Sequence, residues 1–447
     1  MSGIAEVLVN LGYEVSGSDL QRSESTNRLE ELGVRFHAGH DPRHVGEADV
    51  VVVSTAVPSD NAERSAAARA GIPVVSRGEM LAALTSLKRG VAVVGSHGKT
   101  TTTAMVALTL ESAGFDPTAI IGGKVSAFGS NARLGRGSFM VVEADESDRS
   151  FLRLSPEIAV LTNLDDEHLD AYDGIEDLEN AFVAFTERVA PHGCVVACLD
   201  DPRLRRLLPR IRSDVVTYAI DEPLAHVFAG ELRLGPTGSR SRVRIVTVPG
   251  TLDLLLRVPG RHSVLNALAA VAVATHLDIA PDVIVEALAR FSGADRRLQD
   301  YGEINGVVVL DDYGHHPTEI AAVIDTVRLR APGRLRIVFQ PHRYSRTHRL
   351  LERFGAVLAS ADEVVLTEVY AASETPIPGA TADAIAEAVR RLSSTPVRVV
   401  SNIDEIPEIV AADARAGDVI VTLGAGSIGR IPGRIVDALR RQDGSDG

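Results

Sequence analysis

Gly95-Ser96-His97-Gly98-Lys99-Thr100-Thr101-Thr102 stands between a short apolar run, Val91 to Val94, and a longer apolar stretch. The run reads as a buried strand and the stretch as a helix. Glycines in such a loop let backbone N–H groups close around phosphate oxygens at a helix start. The lysine meets the outer phosphates, and the hydroxyl of Thr100 can ligate magnesium. The loop departs from the strict eight-residue phosphate loop, because Val93 stands at its first glycine position and the glycine falls at Gly95. A shorter loop is expected. A plain strand-to-helix turn has no need of Gly-Lys-Thr-Thr-Thr, so nucleotide phosphate is the expected ligand.

Two more apolar strands end in polar clusters. Phe139 to Val142 runs into Glu143-Ala144-Asp145-Glu146-Ser147-Asp148, and Ile158 to Leu161 runs into Thr162-Asn163-Leu164-Asp165-Asp166-Glu167-His168-Leu169-Asp170. A carboxylate on a strand beside the phosphate loop faces that loop, and hard oxygen ligands suit magnesium. An acidic turn, or a histidine among acids, is commonly only a solvated bend. Downstream of a nucleotide loop, Glu143 is expected to bind metal, and His168 to serve metal or substrate.

The elements that must position these residues alternate between short apolar strands and helices, the pattern of parallel α/β folds. Residues 1–88 open with a helix that places Ile4, Val7, Leu8 and Leu11 on one face, and they include a strand at Val50 to Ser54. Residues 89–296 carry the phosphate loop. Between 215 and 258 the period changes to two, as in Leu252, Leu254, Leu256 and Val258, which predicts a small antiparallel sheet before a helix from Val264 to His276. Residues 297–447 return to buried strands at Val307–Leu310, Leu335–Phe339, Val364–Thr367, Val397–Val400 and Val419–Thr422. In open α/β sheets ligands gather beyond the carboxyl ends of strands. There the chain places Asp311-Asp312-Tyr313-Gly314-His315-His316, Pro341-His342-Arg343-Tyr344, Glu368-Val369-Tyr370 and Gly424-Ala425-Gly426.

Composition narrows the class. With 447 residues, 45% hydrophobic and 24% charged, the chain should fold throughout into about three domains. A net charge of −14 argues against a broad nucleic-acid surface. The longest apolar stretch, near Ala267 to Ala274, is far short of the ~20 residues of a membrane helix. MSGIAEVLVN has no basic segment ahead of an apolar one, so cytoplasmic residence is expected. Cys194 and Cys198 have no metal or redox spacing and read as reduced structural thiols. Oligomeric state is not legible.

GSHGKTTTTAM, EADESDRSFL, TNLDDEHLD, DDYGHHPTE and QPHRYSRT, in this order and spacing, resemble the Mur ligase family, and in particular its muramate:alanine branch. The resemblance covers essentially the whole chain. It implies three domains: a Rossmann-like UDP-sugar domain, a central ATPase and a Rossmann-like C-terminal domain that closes over the site. It implies ATP-dependent joining of L-alanine to the lactyl carboxylate of UDP-N-acetylmuramate through an acyl phosphate, in peptidoglycan precursor synthesis. Lys99 would hold ATP phosphates with Gly95, Ser96, His97, Gly98 and Thr101. Thr100 and Glu143 would ligate one Mg2+, and His168 a second. Asn266, Arg297 and Asp312 match nucleotide contacts. His315, Arg343 and Arg346 match the region that receives alanine and the sugar's acyl group. Ser54-Thr55-Ala56 and His37-Ala38-Gly39-His40 resemble the uridine site.

Departures from the family pattern are local. The chain reads His262-Ser263-Val264-Leu265-Asn266 where the family commonly has asparagine after the histidine, and Ser427 follows Gly424-Ala425-Gly426 where aspartate is common. Related ligases use a carbamylated lysine to bridge magnesium. The three lysines here are Lys88, Lys99 and Lys124, so no later lysine can fill that role. Met1 to Glu6 resembles the family's sequence just after a Gly-rich turn. The expectation is therefore that the first sheet lacks a strand, shows unpaired edges and binds UDP-sugar weakly. The nearest alternative activity is ligation of a whole peptide to the same sugar; a nucleotide-switched sensor is the alternative from another class.

Overall fold

Ser16–Asp19 (β1) and Arg35–Ala38 (β2) pair in parallel, as do Val51–Val53 (β3) and Val74–Ser76 (β4). Among the described residues the two pairs form separate two-stranded sheets. The computed structural model describes residues 1–54, 56–125, 128–167, 171–330 and 333–443. Local chemistry sets the intervening helices. Ser23 and Thr26 form a capping box at Glu24–Glu31, and Ser76 and Glu79 form another at Arg77–Ser86. The opening helix, Ser2–Asn10, buries Ile4 and Val7, whereas Leu11 is 42% exposed beyond its end. A polar clasp ties β1 to the helix Ala62–Ala70. Glu63 accepts from Ser18 Oγ at 2.6 Å and from Asp41 N at 3.3 Å, and lies 2.9 Å from His44 Nδ1.

The chain divides into two compact units. The first comprises Met1–Leu232, Arg240–Arg257 and Ser263–Ser292; the second comprises Arg233–Ser239, Val258–His262 and Gly293–Gly447. The first unit is built on strands Arg89–Val94 (β5), Thr118–Val125 (β6), Ser130–Arg133 (β7), Phe139–Glu143 (β8), Ile158–Leu161 (β9), Cys194–Cys198 (β10) and Asp214–Ala219 (β11). Val227–Gly235 (β12), Gly238–Ile245 (β13) and Val248–Leu256 (β14) continue the same ten-stranded sheet, in the order β14-β13-β12-β11-β10-β9-β5-β8-β6-β7. The segment expected to make a small antiparallel sheet thus extends the large one, and β11 joins β12 in parallel. β5 lies between β9 and β8, with Val91 opposite both Ile158 and Val141. Val91 to Val94, Phe139 to Val142 and Ile158 to Leu161 are buried, as strands covered on both faces must be. Cys194 and Cys198 are free and buried in β10, and burial pushes both thiols up to about 12.

The second unit holds Gln299–Ile304 (β15), Val307–Asp312 (β16), Leu335–Phe339 (β17), Glu363–Leu366 (β18), Val397–Val399 (β19) and Val419–Leu423 (β20), in the order β15-β16-β20-β17-β18-β19. β15 is antiparallel to β16, and the other pairings are parallel. Separate apolar layers cover its two faces, one around Ile320, Phe354 and Ile385, the other around Ile406, Ile431 and Ile435. Arg336 is fully buried within β17 because Glu363 takes it in two-point contact at 2.8 and 3.1 Å and Val410 O accepts at 2.8 Å. The parallel strands leave the carboxyl ends of β16, β17, β18 and β20 on one edge. No helix of the described residues is long and apolar enough to cross a membrane.

Candidate functional site

Because β5 is central, the loop after it is flanked by the ends of β8 and β9. Gly95 has φ 145°, and a Cβ there would fall 2.0 Å from Thr162 Oγ1; at Gly98, φ 79°, it would fall 2.5 Å from Asn266 Oδ1. Only glycine fits either position. The loop is tied to the turn after β9: Ser96 N donates to Asn163 O at 3.1 Å, His97 N to Asn163 Oδ1 at 2.8 Å, and Asp165 N to Ser96 Oγ at 2.8 Å. His97 Nε2 lies 3.1 Å from Asp165 Oδ2. Gly98 then starts the helix Lys99–Ser112, whose first N–H groups form an anion-binding end. Thr101 is partly exposed on that first turn.

Lys99 folds back over the loop. Its ammonium donates to Gly95 O at 2.6 Å, Glu146 Oε1 at 2.8 Å and Ser96 O at 3.4 Å. Burial works against its charge, but Glu146, Asp145 and Glu143 together outweigh that and raise its pKa above the ordinary lysine value. Burial pushes Glu146 up to about 8, with Lys99 pulling the other way. Glu143, opposite Val93 in the β5–β8 register, accepts from Thr100 Oγ1 at 2.9 Å and from Gly122 N at 2.7 Å on one oxygen. A hydroxyl and a carboxylate so close are a donor set that suits a hard divalent cation. His168 lies outside the described residues. Asn266, on the helix Arg261–His276, accepts from Thr102 Oγ1 at 3.2 Å and so stands against the phosphate loop.

In the second unit the remaining expected residues sit at strand ends. Asp312 is buried at the end of β16; its oxygens accept Leu298 N at 2.8 Å and Gly314 N at 2.7 Å, and burial pushes its carboxyl up to about 6. Arg297 lies 5.5 Å from the Tyr313 ring centre and 3.7 Å from Glu319 Oε1. His315 Nδ1 is 3.0 Å from Tyr313 O, a contact in which that nitrogen donates. Its ring is 5.6 Å from that of His342. Beyond β17, Arg343 caps the helix Tyr344–Arg349, and Arg346, only 4% exposed, donates to His342 O at 3.0 Å. Near the first-domain residues expected at the uridine site, His37 stacks on His44 at 4.3 Å and His40 Nδ1 lies 3.1 Å from Ser18 Oγ; Thr55 is outside the described residues.

Several residues here had no role in the sequence reading. Glu146 was one acid among four in EADESD, Asn163 one polar residue of a turn, and Arg296 sat beside the expected Arg297. Arg296 donates to Asp311 Oδ2 and to Gly424 O, both at 2.7 Å. For Glu146 and Asn163 the only signal in sequence was position just after a buried strand, and Arg296, ahead of β15, had only its place beside Arg297.

Comparison with known proteins agrees with this layout. The Mur ligase family catalytic domain matches residues 1–89, the Mur ligase middle domain 93–274, and the Mur ligase glutamate ligase domain 296–426. UDP-N-acetylmuramate--L-alanine ligase of Burkholderia ambifaria is 48% identical over 449 residues, covering 99% of this chain and 96% of that protein. The Solibacter usitatus protein of the same name is 47% identical over 99% of this chain and 93% of its own length. Among solved structures, the UDP-N-acetylmuramate-alanine ligase of Thermotoga maritima superposes with a TM-score of 0.84 at 28% identity, covering 100% of this chain and 97% of the other. A murein peptide ligase from Psychrobacter arcticus gives 0.74 at 25% identity, covering 98% and 96%.

Proposed function

The chain belongs to the Mur ligase family, and from that premise we propose that it joins L-alanine to UDP-N-acetylmuramate at the expense of ATP. The observation that carries the reading is the meeting of Lys99, Thr100 and Glu143 around one glycine-shaped loop, in a chain that matches full-length alanine ligases.

The chemistry required is activation of a carboxylate. At neutral pH its oxygen is a poor leaving group, so a lactyl oxygen attacks the γ-phosphorus, the bond to the β-phosphate oxygen breaks, and ADP leaves. The alanine nitrogen then attacks the acyl carbon, phosphate departs with the bonding pair, and the amine loses a proton. Lys99 and the loop N–H groups stabilise the phosphoryl charge. Thr100 and Glu143 would hold one Mg2+ and His168 a second, and these ions would supply charge neutralisation. Asn266 supports the nucleotide loop; Arg297 and Asp312 take further nucleotide contacts. Arg343 and Arg346 hold the carboxylate of alanine, and His315 orients the amine or accepts its proton. The use of ATP and a UDP-sugar as substrates supports a cytoplasmic location.

The test is phosphate release with UDP-N-acetylmuramate and ATP, comparing L-alanine with the tripeptide used by murein peptide ligases. Turnover with alanine is expected; turnover with the tripeptide alone would assign the chain to the recycling branch.

A further inference from the structure

Three residues other than glycine hold left-handed backbone on two neighbouring loops of the second unit: Arg343 at φ 70°, Ala372 at 47° and Ser373 at 70°. Side chains resist that region, and such backbone persists only where its surroundings over-determine it. The loops after β17 and β18 supply those surroundings. His342 and Tyr370 form a parallel bridge past the strand ends, Tyr370 N donates to Pro341 O at 2.8 Å, and Arg343 N donates to Tyr370 O at 2.8 Å. The two rings stack at 5.5 Å with planes 11° apart. Glu374 N then closes the turn on Ala371 O at 3.0 Å.

The turn delivers the Glu374 side chain to the helix that carries the arginines. Glu374 Oε1 accepts from Ser345 Oγ at 2.7 Å, and Oε2 accepts from Ser345 N at 3.0 Å. Arg343 NH1 lies 3.7 Å from the same carboxylate. One group therefore fixes the first turn of Tyr344–Arg349 and stands beside the guanidinium at its start. Both carboxylate oxygens of Glu374 are already taken by Ser345, so its effect on substrate runs through the helix and its arginines.

We infer that Glu374 is the positioning residue of the alanine clamp, holding Arg343 and the helix bearing Arg346 in the geometry that receives the amino acid. The inference rests on the assignment of those arginines to alanine. Its physical basis is preorganisation: a strained Arg343 backbone that relaxes without its prop gives a clamp that alanine must rebuild on binding.

The experiment is steady-state kinetics of the full chain with Glu374→Gln, Glu374→Asp and Arg343→Lys, varying alanine and ATP separately, with melting temperatures recorded. Glu374→Gln should raise the KM for alanine on the order of tenfold while the KM for ATP and the melting temperature stay near wild type. Glu374→Asp, which keeps the charge on a shorter stem, should recover part of that loss. Equal rises in both KM values, an alanine KM within twofold of wild type, or a fall in melting temperature with unaltered kinetics would each overturn the positioning role. If Arg343→Lys leaves the alanine KM unchanged, the clamp assignment fails and the inference falls with it. If Arg343→Lys raises it and Glu374→Gln does not, only the inference fails.

Discussion

At the scale of single residues, the phosphate loop is governed by charge. Lys99→Ala removes the cation assigned to the transferring phosphoryl group, and turnover should fall at least ~100-fold by comparison with other lost electrostatic donors. Near-normal turnover would refute the loop's assignment. Glu146 acts in the opposite sense on binding, because it occupies the Lys99 ammonium at 2.8 Å, and above the pH of about 8 to which burial pushes its carboxyl its negative charge also repels the polyphosphate. Glu146→Gln is expected to tighten ATP binding by roughly tenfold at pH 9, the scale of one charge interaction in a partly screened site, and by less at pH 7, where the wild-type carboxyl is largely protonated. Weaker ATP binding in calorimetry would show that Glu146 does not compete. Asp312 links burial to pH. Its folded pKa of about 6 lies above the ordinary value of 3.8, so its contribution is fully present below pH 3.8 and is lost as pH rises through 6. Relative to Asp312→Asn, wild-type stability should fall by about 1 kcal/mol between pH 5 and pH 8. Denaturant titrations of both proteins with the same pH slope would contradict this. The sequence named Lys99 from its Gly-Lys-Thr loop and Asp312 through the family resemblance. It could not name Glu146, because an acid in a run of acids reads as solvated until the fold buries it against the lysine.

At the scale of elements, three parallel strands bring the chemistry together: β5 ends in the loop, β8 in Glu143 and β9 in the Thr162–Glu167 turn. Gly95 is the tightest point of this arrangement. In Gly95→Ala the new methyl meets Thr162 Oγ1 and Asn163 backbone, on a φ of 145° that side chains rarely adopt. ATP affinity should be lost along with several degrees of melting temperature, as expected when both overpacking and backbone strain are introduced. A variant with wild-type ATP affinity would mean that the loop is looser than its contacts indicate. These strands were legible because they are unbroken apolar runs that turn polar at one end. The role of β12 to β14 was less legible: period two along Leu252, Leu254 and Leu256 reports which face is buried, not which sheet the strand joins. For the same reason the separation of β1 and β2 from β3 and β4 depends on pairing partners that local patterning does not specify.

At the scale of the whole molecule, two α/β units each gather polar residues at the carboxyl ends of parallel strands, the first around Lys99 and the second around Arg343. That division suits a ligase, since one set of residues must handle anionic phosphates and another an amino acid. The sequence led to an expectation of three domains rather than to this pair of units, and the strained loop and the Glu374 prop were not legible at all, because left-handed backbone at Arg343, Ala372 and Ser373 leaves no trace in residue type. The most direct test of the central claim is product formation by the full chain with ATP, magnesium, UDP-N-acetylmuramate and L-alanine, followed by mass spectrometry. The expected result is a new amide, UDP-N-acetylmuramoyl-L-alanine, formed one for one with ADP and phosphate and only when all substrates are present. ATP hydrolysis that proceeds equally without sugar or alanine, and yields no amide, would contradict the account.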